Sequence, residues 1–204
     1  FDVFINIPRK KKFKIKNIKL KLLGDHNVTN ATASIAIALN LGIKVNIIKK
    51  ALKKFSGIQR RFTKIFSLNR NDFYDDYAHH PTEIKAVING ARQAYGKRKI
   101  ISVFQPHRYS RVRLLKEEFA MSFKHCDAVI LCPIYSAGEK VDKYFNQDKF
   151  SSLIAKKSKT QVINIENKKE LKIFFKKNLF NDELVICMGA GSISNWIREI
   201  GQEI

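Results

Sequence analysis

Acidic side chains are scarce in this sequence: 18 Asp and Glu stand against 39 Lys and Arg, a formal net charge of +21 over 204 residues. Two readings of that imbalance compete. A basic chain can bind nucleic acid or a membrane surface, or its lysines can simply cover solvated faces in a Lys-, Asn- and Ile-rich background. The lysines are spread along most of the chain, which favours the second reading. Cysteine is scarce as well. Cys126, Cys132 and Cys187 are odd in number, dispersed, and each lies in or beside an apolar run. That fits reduced core thiols of a cytoplasmic protein better than disulfides or a metal site. Long apolar runs are missing, none approaching the roughly 18 to 20 residues of a membrane span, and no signal-peptide pattern opens the chain. An initiating Met is missing too, and the segment from Phe1 to Ile7 alternates like the middle of a strand, so an amino-terminal part is expected to be absent. There is neither an internal repeat nor a low-complexity tract.

What is present is the composition of a globular chain, 45% hydrophobic and 11% aromatic, with ample length for a core. Residues 1–23 read as β-structure, with Phe13 and Ile15, then Ile18, Leu20 and Leu22, apolar at period two around a phase slip near Lys16-Asn17. Arg9-Lys10-Lys11-Lys12 reads as the exposed turn between two strands. A helix enters from the glycine turn at Gly24 and stops at Gly42, and a second runs from Asn46 to Phe55 and ends at Gly57. From Phe62 onward, near-continuous apolar strands alternate with helices. The strands are 62–68, 73–76, 100–104, 128–132, 161–165 and 184–188. The helices are 84–95, 111–125, 148–157, 168–178 and one from Ser192. This alternation predicts an α/β fold with a doubly wound, mostly parallel sheet.

Two strand-to-helix turns concentrate the chemistry, at the kind of place where open α/β sheets bind ligands. The first is Asp75-Asp76-Tyr77-Ala78-His79-His80-Pro81-Thr82-Glu83. Pro81 suits the first helical position, where its missing amide hydrogen costs nothing, and Glu83 suits the positive end of the helix dipole. Adjacent His79 and His80 point apart and no further ligand stands at a useful spacing, so the loop does not read as a metal site. The second turn is Phe104-Gln105-Pro106-His107-Arg108-Tyr109-Ser110-Arg111-Val112-Arg113. Three arginines at a helix start oppose the dipole, and a bound anion would explain them; an ordinary basic surface turn is the plainer alternative.

Other segments are more ambiguous. Asn27 and Asn30 share a helix face, and each carboxamide offers the donor and acceptor that grip an adenine edge; a capping role for Asn27 is the plainer alternative. Arg60-Arg61-Phe62 marks a hinge, with arginines suited to phosphate. Gly189-Ala190-Gly191-Ser192 opens the last helix but lacks the third glycine of a dinucleotide fingerprint, so a tight turn beside the ligand crevice is the simpler reading.

Taken in order, Gly24-x-His26-Asn27-x-x-Asn30, Arg60-Arg61-Phe62, the Asp75 to Glu83 turn and the Phe104 to Arg111 turn resemble the Mur ligase family. The Gln105-Pro106-His107-Arg108 sequence is similar to the branch that joins L-alanine to UDP-N-acetylmuramate, rather than the branch that recycles a tripeptide. The resemblance implies a Rossmann-like ligase domain at residues 61–204, preceded at 1–60 by the end of a central ATP-binding domain. It implies ATP-dependent phosphorylation of a carboxylate, then attack of an amine on the acyl phosphate, in peptidoglycan precursor synthesis. The implied partners are ATP with Mg2+, UDP-N-acetylmuramate and L-alanine, with no nucleic acid and no membrane insertion. By motif, Asn27, Asn30, Arg61 and Asp76 would meet ATP, while Tyr77, His79, Arg108 and Arg111 would hold alanine and the muramyl carboxylate. Of these, His79, Arg108 and Arg111 are the catalytic candidates. The family's Gly-Lys-Thr phosphate loop and its magnesium ligands are not found in these 204 residues, so the chain alone is expected to fold at least in its carboxy-terminal part but not to ligate.

Overall fold

The structure is a computed structural model that describes residues 1–6, 12–180 and 182–204. Arg9, Lys10 and Lys11 of the basic turn lie outside the described residues. The chain divides into two compact units, Phe1–Gly57 and Ile58–Ile204.

In the first unit, β1 (Val3–Ile5) and β2 (Phe13–Ile15) pair antiparallel. Two helices follow, α1 (Asp25–Asn40) and α2 (Val45–Lys54). Their shared core is small: Val3, Ile15, Ile18, Ile35 and Ile48. The β-structure expected through residue 23 stops at Ile15. Asn17 takes a left-handed φ of 57° and donates its amide to Asp2 Oδ1 at 2.9 Å, while Lys49 Nζ caps the Lys16 carbonyl at 2.9 Å. These side chains take the backbone groups of residues 16 and 17 where the ladder would continue, and among the described residues Ile18 alone exchanges backbone bonds with Phe1, at 2.8 and 3.0 Å.

The second unit is built on a six-stranded sheet. Its strands are β3 (Thr63–Leu68), β4 (Asn71–Asp76), β5 (Ile100–Phe104), β6 (Ala128–Leu131), β7 (Gln161–Asn164) and β8 (Leu184–Met188), in the order β3-β4-β8-β5-β6-β7. Only β3 runs antiparallel, as an edge strand joined to β4 by a tight turn; every other pairing is parallel. The fold is therefore Rossmann-like and mostly parallel. Alternate strand residues feed two faces. On one face Tyr74, Phe104, Leu131 and Met188 pack against α3 (Pro81–Tyr95), α5 (Lys116–Met121) and α6 (Gln147–Ser158). On the other, Phe73, Val103, Ile130 and Val185 pack against α7 (Lys168–Asn178) and α8 (Ile193–Glu203). All three cysteines are free and buried within these cores.

The helix expected over 111–125 is two short ones. α4 (Tyr109–Leu114) ends at Leu115, whose φ of −113° and ψ of 29° break the run before α5. Each piece answers to its own anchor. α4 begins on Arg108, whose amide is tied to the Tyr135 carbonyl, whereas α5 is set by the fully buried Phe119.

The return of the last strand to the middle of the sheet positions the site. Asp76, Met188 and Phe104 lie in one register row, so the residues after them, Tyr77, Gly189 and Gln105, leave the sheet side by side.

Candidate active site

β4 ends in two carboxylates that serve opposite faces. Asp76 is 3% exposed; its Oδ1 accepts the Ala78 amide at 2.8 Å and its Oδ2 the Phe62 amide at 2.7 Å. Burial pushes its pKa up to about 6 against the pull of those amides. Asp75 is fully buried on the α8 side; its Oδ2 accepts from Ser194 Oγ at 2.6 Å and from Arg198 at 3.1 Å.

The turn that follows is fixed by the start of α3. His80 is the N-cap and Pro81 opens the helix. Glu83 Oε2 accepts the amides of His79 at 3.0 Å and His80 at 3.2 Å, and Arg61 stands 3.9 Å from Glu83 Oε1. This holds His79 with Nδ1 toward two acceptors, the Tyr77 carbonyl at 2.9 Å and Glu83 Oε2 at 3.3 Å. Nδ1 therefore carries a hydrogen, and in the neutral ring Nε2 is left as an acceptor.

The second turn brings its own histidine alongside. The rings of Tyr77 and His79 have centroids 5.1 Å apart, those of His79 and His107 5.8 Å apart, and His107 stacks on Tyr135 at 5.7 Å. Arg111 Nη1 lies 3.4 Å from His107 Nδ1. A guanidinium only donates, so His107 Nδ1 accepts and its Nε2 carries the hydrogen. Burial, then the charges of Arg111 and Arg108, lower the His107 pKa and favour the neutral ring. Two imidazoles of opposite tautomer thus stand together, one offering a lone pair and one a hydrogen, beside guanidinium groups fit for carboxylate or phosphoryl oxygen. Arg108, at a φ of 70°, caps α4 with its side chain exposed.

The glycine loop closes the floor. Gly189 donates its amide to the Asp76 carbonyl at 3.2 Å. A Cβ on Gly191 would lie 2.5 Å from Tyr135 Cγ and 2.6 Å from Gln105 Oε1. Gln105 in turn donates to Ser192 Oγ at 3.0 Å and accepts the Ile193 amide at 2.9 Å. The glycines permit this close packing of backbone against side chains.

Asn27 and Asn30 belong to the other unit. Gly24 caps α1 without a side-chain bond, so Asn27 is not the cap; its Nδ2 donates back to the Leu23 carbonyl at 2.7 Å. Asn30 is exposed one turn on.

The profile of the Mur ligase, glutamate ligase domain matches residues 60–191, the span that carries both turns and the glycine loop. The chain belongs to the Mur ligase family. It is 52% identical over all 204 residues to the UDP-N-acetylmuramate–L-alanine ligase of Pelagibacter ubique, covering 44% of that protein. It is 39% identical over 197 residues to the enzyme of the same name from Bartonella tribocorum, covering 96% of this chain and 41% of the relative. The chain thus spans under half the length of the curated relatives it matches. Among solved structures, the UDP-N-acetylmuramate–alanine ligase of Thermotoga maritima superposes with a TM-score of 0.71 at 28% identity, over 96% of this chain and 40% of its own. The murein peptide ligase of Psychrobacter arcticus reaches the same TM-score of 0.71 at 20% identity, over 98% of this chain and 41% of its own, which speaks to fold alone.

Within this Mur ligase chain the sequence pointed to Tyr77, His79, Arg108 and Arg111, and the two turns do meet. It assigned no role to His107, which bridges them, nor to Tyr135, which reaches the site from the end of a third strand through a parallel bridge to His107. Arg60, read with Arg61 as suited to phosphate, has its guanidinium 4.6 Å from the Tyr77 ring centre.

Proposed function

We propose that this chain is the carboxy-terminal part of a ligase that joins L-alanine to UDP-N-acetylmuramate at the expense of ATP, in cytoplasmic peptidoglycan precursor synthesis. The observation that carries the reading is the 52% identity to an enzyme of that name along all 204 residues. The relative at 39% identity bears the same name, which favours alanine over a recycled tripeptide. We assign residues 1–60 to the end of the ATP-binding domain and 61–204 to the ligase domain.

The chemistry asks for three things at the strand ends. The muramyl carboxylate oxygen attacks the γ-phosphorus of ATP and ADP leaves. The alanine nitrogen then attacks the carbonyl carbon, and the C–O bond to phosphate breaks as the amide forms. Alanine arrives as an ammonium, so two protons leave its nitrogen on the way to the amide: the first goes before attack, with His79 Nε2 as the acceptor poised for it, and the second leaves the tetrahedral intermediate with the departing phosphate. Arg108 and Arg111 suit the two carboxylates and the charge that develops on the tetrahedral intermediate. His107 adds a neutral Nε2–H donor, and Tyr77 borders the alanine site. On the nucleotide side we assign Asn27 and Asn30 to adenine and Arg61 to the nucleotide. Asp76 acts toward the ribose and, through its two amide bonds, as the brace of the turn.

Among the described residues no group of three or more His, Cys, Asp or Glu side chains is placed to hold a metal ion. These residues therefore do not fit the Mg2+ that the family implies, and none of the roles above passes through it. Among the described residues, also, no helix is long and apolar enough to cross a membrane.

The test is phosphate release from ATP by the complete enzyme with UDP-N-acetylmuramate, with and without L-alanine. Alanine-dependent release is expected, and release that needs a peptide instead would move the protein to the recycling branch. Single replacements His79→Ala, Arg108→Met and Arg111→Met should each lower kcat/KM by about a hundredfold or more while leaving the melting temperature nearly unchanged. Near-normal turnover in all three would sink the residue assignment.

A further inference from the structure

We propose that Asp75 is a positioning residue: its buried carboxylate holds Arg60 against the Tyr77 ring and the Gly189 carbonyl, and so sets the wall of the alanine site. This rests on the functional reading above. The side chain of Asp75 is fully buried and lies 3.7 Å from Arg60 Nε. Arg60 Nη2 donates to the Gly189 carbonyl at 2.6 Å. The guanidinium lies over the Tyr77 ring with Cζ 4.6 Å from its centre, and the Tyr77 amide donates to the Arg60 carbonyl at 2.7 Å. Arg60 itself adopts a left-handed φ of 60°, a conformation a non-glycine residue keeps only when its surroundings impose it.

A buried carboxylate needs charge partners, or it would protonate or leave the interior. Arg198 and Ser194 already satisfy Oδ2, yet Asp75 Oδ1 and Arg60 Nε remain without a hydrogen bond. Arg60 Nε stands 3.7 Å from that same Oδ2, so the pairing is one of charge, and the guanidinium's hydrogen bond and ring contact run to Gly189 and Tyr77 at the ligand side. Asp75 and Asp76 thereby grip the same three-residue segment from opposite faces of β4, one through the Arg60 side chain and the other through the Phe62 amide. Cation–π contact of this kind fixes a ring's orientation as well as its place.

The experiment is steady-state kinetics of the complete enzyme carrying Asp75→Asn, Arg60→Met, both together, or Ser194→Ala. Asp75→Asn should raise the KM for L-alanine about tenfold, with kcat and the KM values for ATP and UDP-N-acetylmuramate within about twofold. The double variant should be no worse than Arg60→Met alone, because the two residues act in series, and Ser194→Ala should leave alanine KM unchanged. A uniform shift in all three KM values, a change in kcat alone, or additive losses would overturn the proposal. Should Asp75→Asn fail to fold, Arg60→Met carries the test, and an unchanged alanine KM there overturns it equally. A second readout does not depend on the reaction. In the 204-residue chain the Arg60 Nη2–H that donates to the Gly189 carbonyl should be protected from solvent exchange, and Asp75→Asn should abolish that protection. If the enzyme shows no alanine-dependent turnover at all, the functional reading fails by itself, and the exchange measurement still decides whether Asp75 holds Arg60.

Discussion

Four residues apart on one strand, two carboxyl groups are pushed in opposite directions. Burial alone would raise Asp72, but hydrogen bonds from Lys64, Arg98 and Ser67 outweigh it and hold the carboxyl well below its ordinary value. For Asp76 burial wins over the Ala78 and Phe62 amides, and the pKa stands at about 6. The consequences for stability have opposite sign. The contribution of Asp72 is complete above its ordinary value of 3.8 and fades as pH falls toward the lowered folded value. That of Asp76 is complete below 3.8 and is lost as pH rises through about 6. Asp76→Asn should therefore remove a decline on the order of 3 kcal/mol between pH 4 and pH 7. At pH 4 the variant should itself be less stable by about 1 to 3 kcal/mol, because its carboxamide turns an NH2 toward one of the two amides. Urea unfolding of both proteins at the two pH values checks this, and an unchanged slope in the variant would assign the decline to another group.

At the scale of elements, the entry to α3 separates two things that Glu83 does. One is capping: its carboxylate accepts the His79 and His80 amides. The other is charge, facing His79 at 3.3 Å and Arg61 at 3.9 Å. Glu83→Gln keeps an acceptor for the amides and removes the charge, whereas Glu83→Ala removes both. The alanine variant should lose about 1 kcal/mol of stability and the glutamine variant only a few tenths. Equal losses in thermal unfolding would show that charge matters more than capping. The same helix start was legible in the sequence, because Pro81, Glu83 and the apolar spacing after them are local signals. So were the strands Ile100–Phe104 and Leu184–Met188 and the helix Lys168–Asn178, each bounded by its own pattern. The break at Leu115 was not, since no Gly or Pro marks it and the Val112, Phe119 and Phe123 stripe continues across it. At the candidate site, Tyr77, His79 and Arg111 could be named from two turns. The contact of His107 with Tyr135 and that of Asp75 with Arg198 join residues far apart in the chain, and no local pattern announces such pairs.

For the molecule as a whole, the two units differ in the core each can build. Among the described residues, the buried apolar cluster of Phe1–Gly57 is Val3, Ile15, Ile18, Ile35 and Ile48, and a domain of about 60 residues is marginal even with a good core. Ile58–Ile204 buries apolar residues on both faces of its sheet, in two separate clusters. It also contains Arg60, Asp75, Tyr77, His79, His107, Arg111 and Tyr135 complete, tied by bonds internal to the unit. The chain of residues 58–204 should therefore fold alone, with a single cooperative calorimetric transition, whereas residues 1–57 alone should melt without one. The pieces of the site should survive the cut as well. The Arg60 Nη2–H bonded to the Gly189 carbonyl should stay protected from exchange in the shorter chain, as expected of the 204 residues. A shorter chain that folds but leaves that hydrogen unprotected would mean that residues outside the unit are needed to set Arg60, and the alanine wall would not be preformed in the second unit.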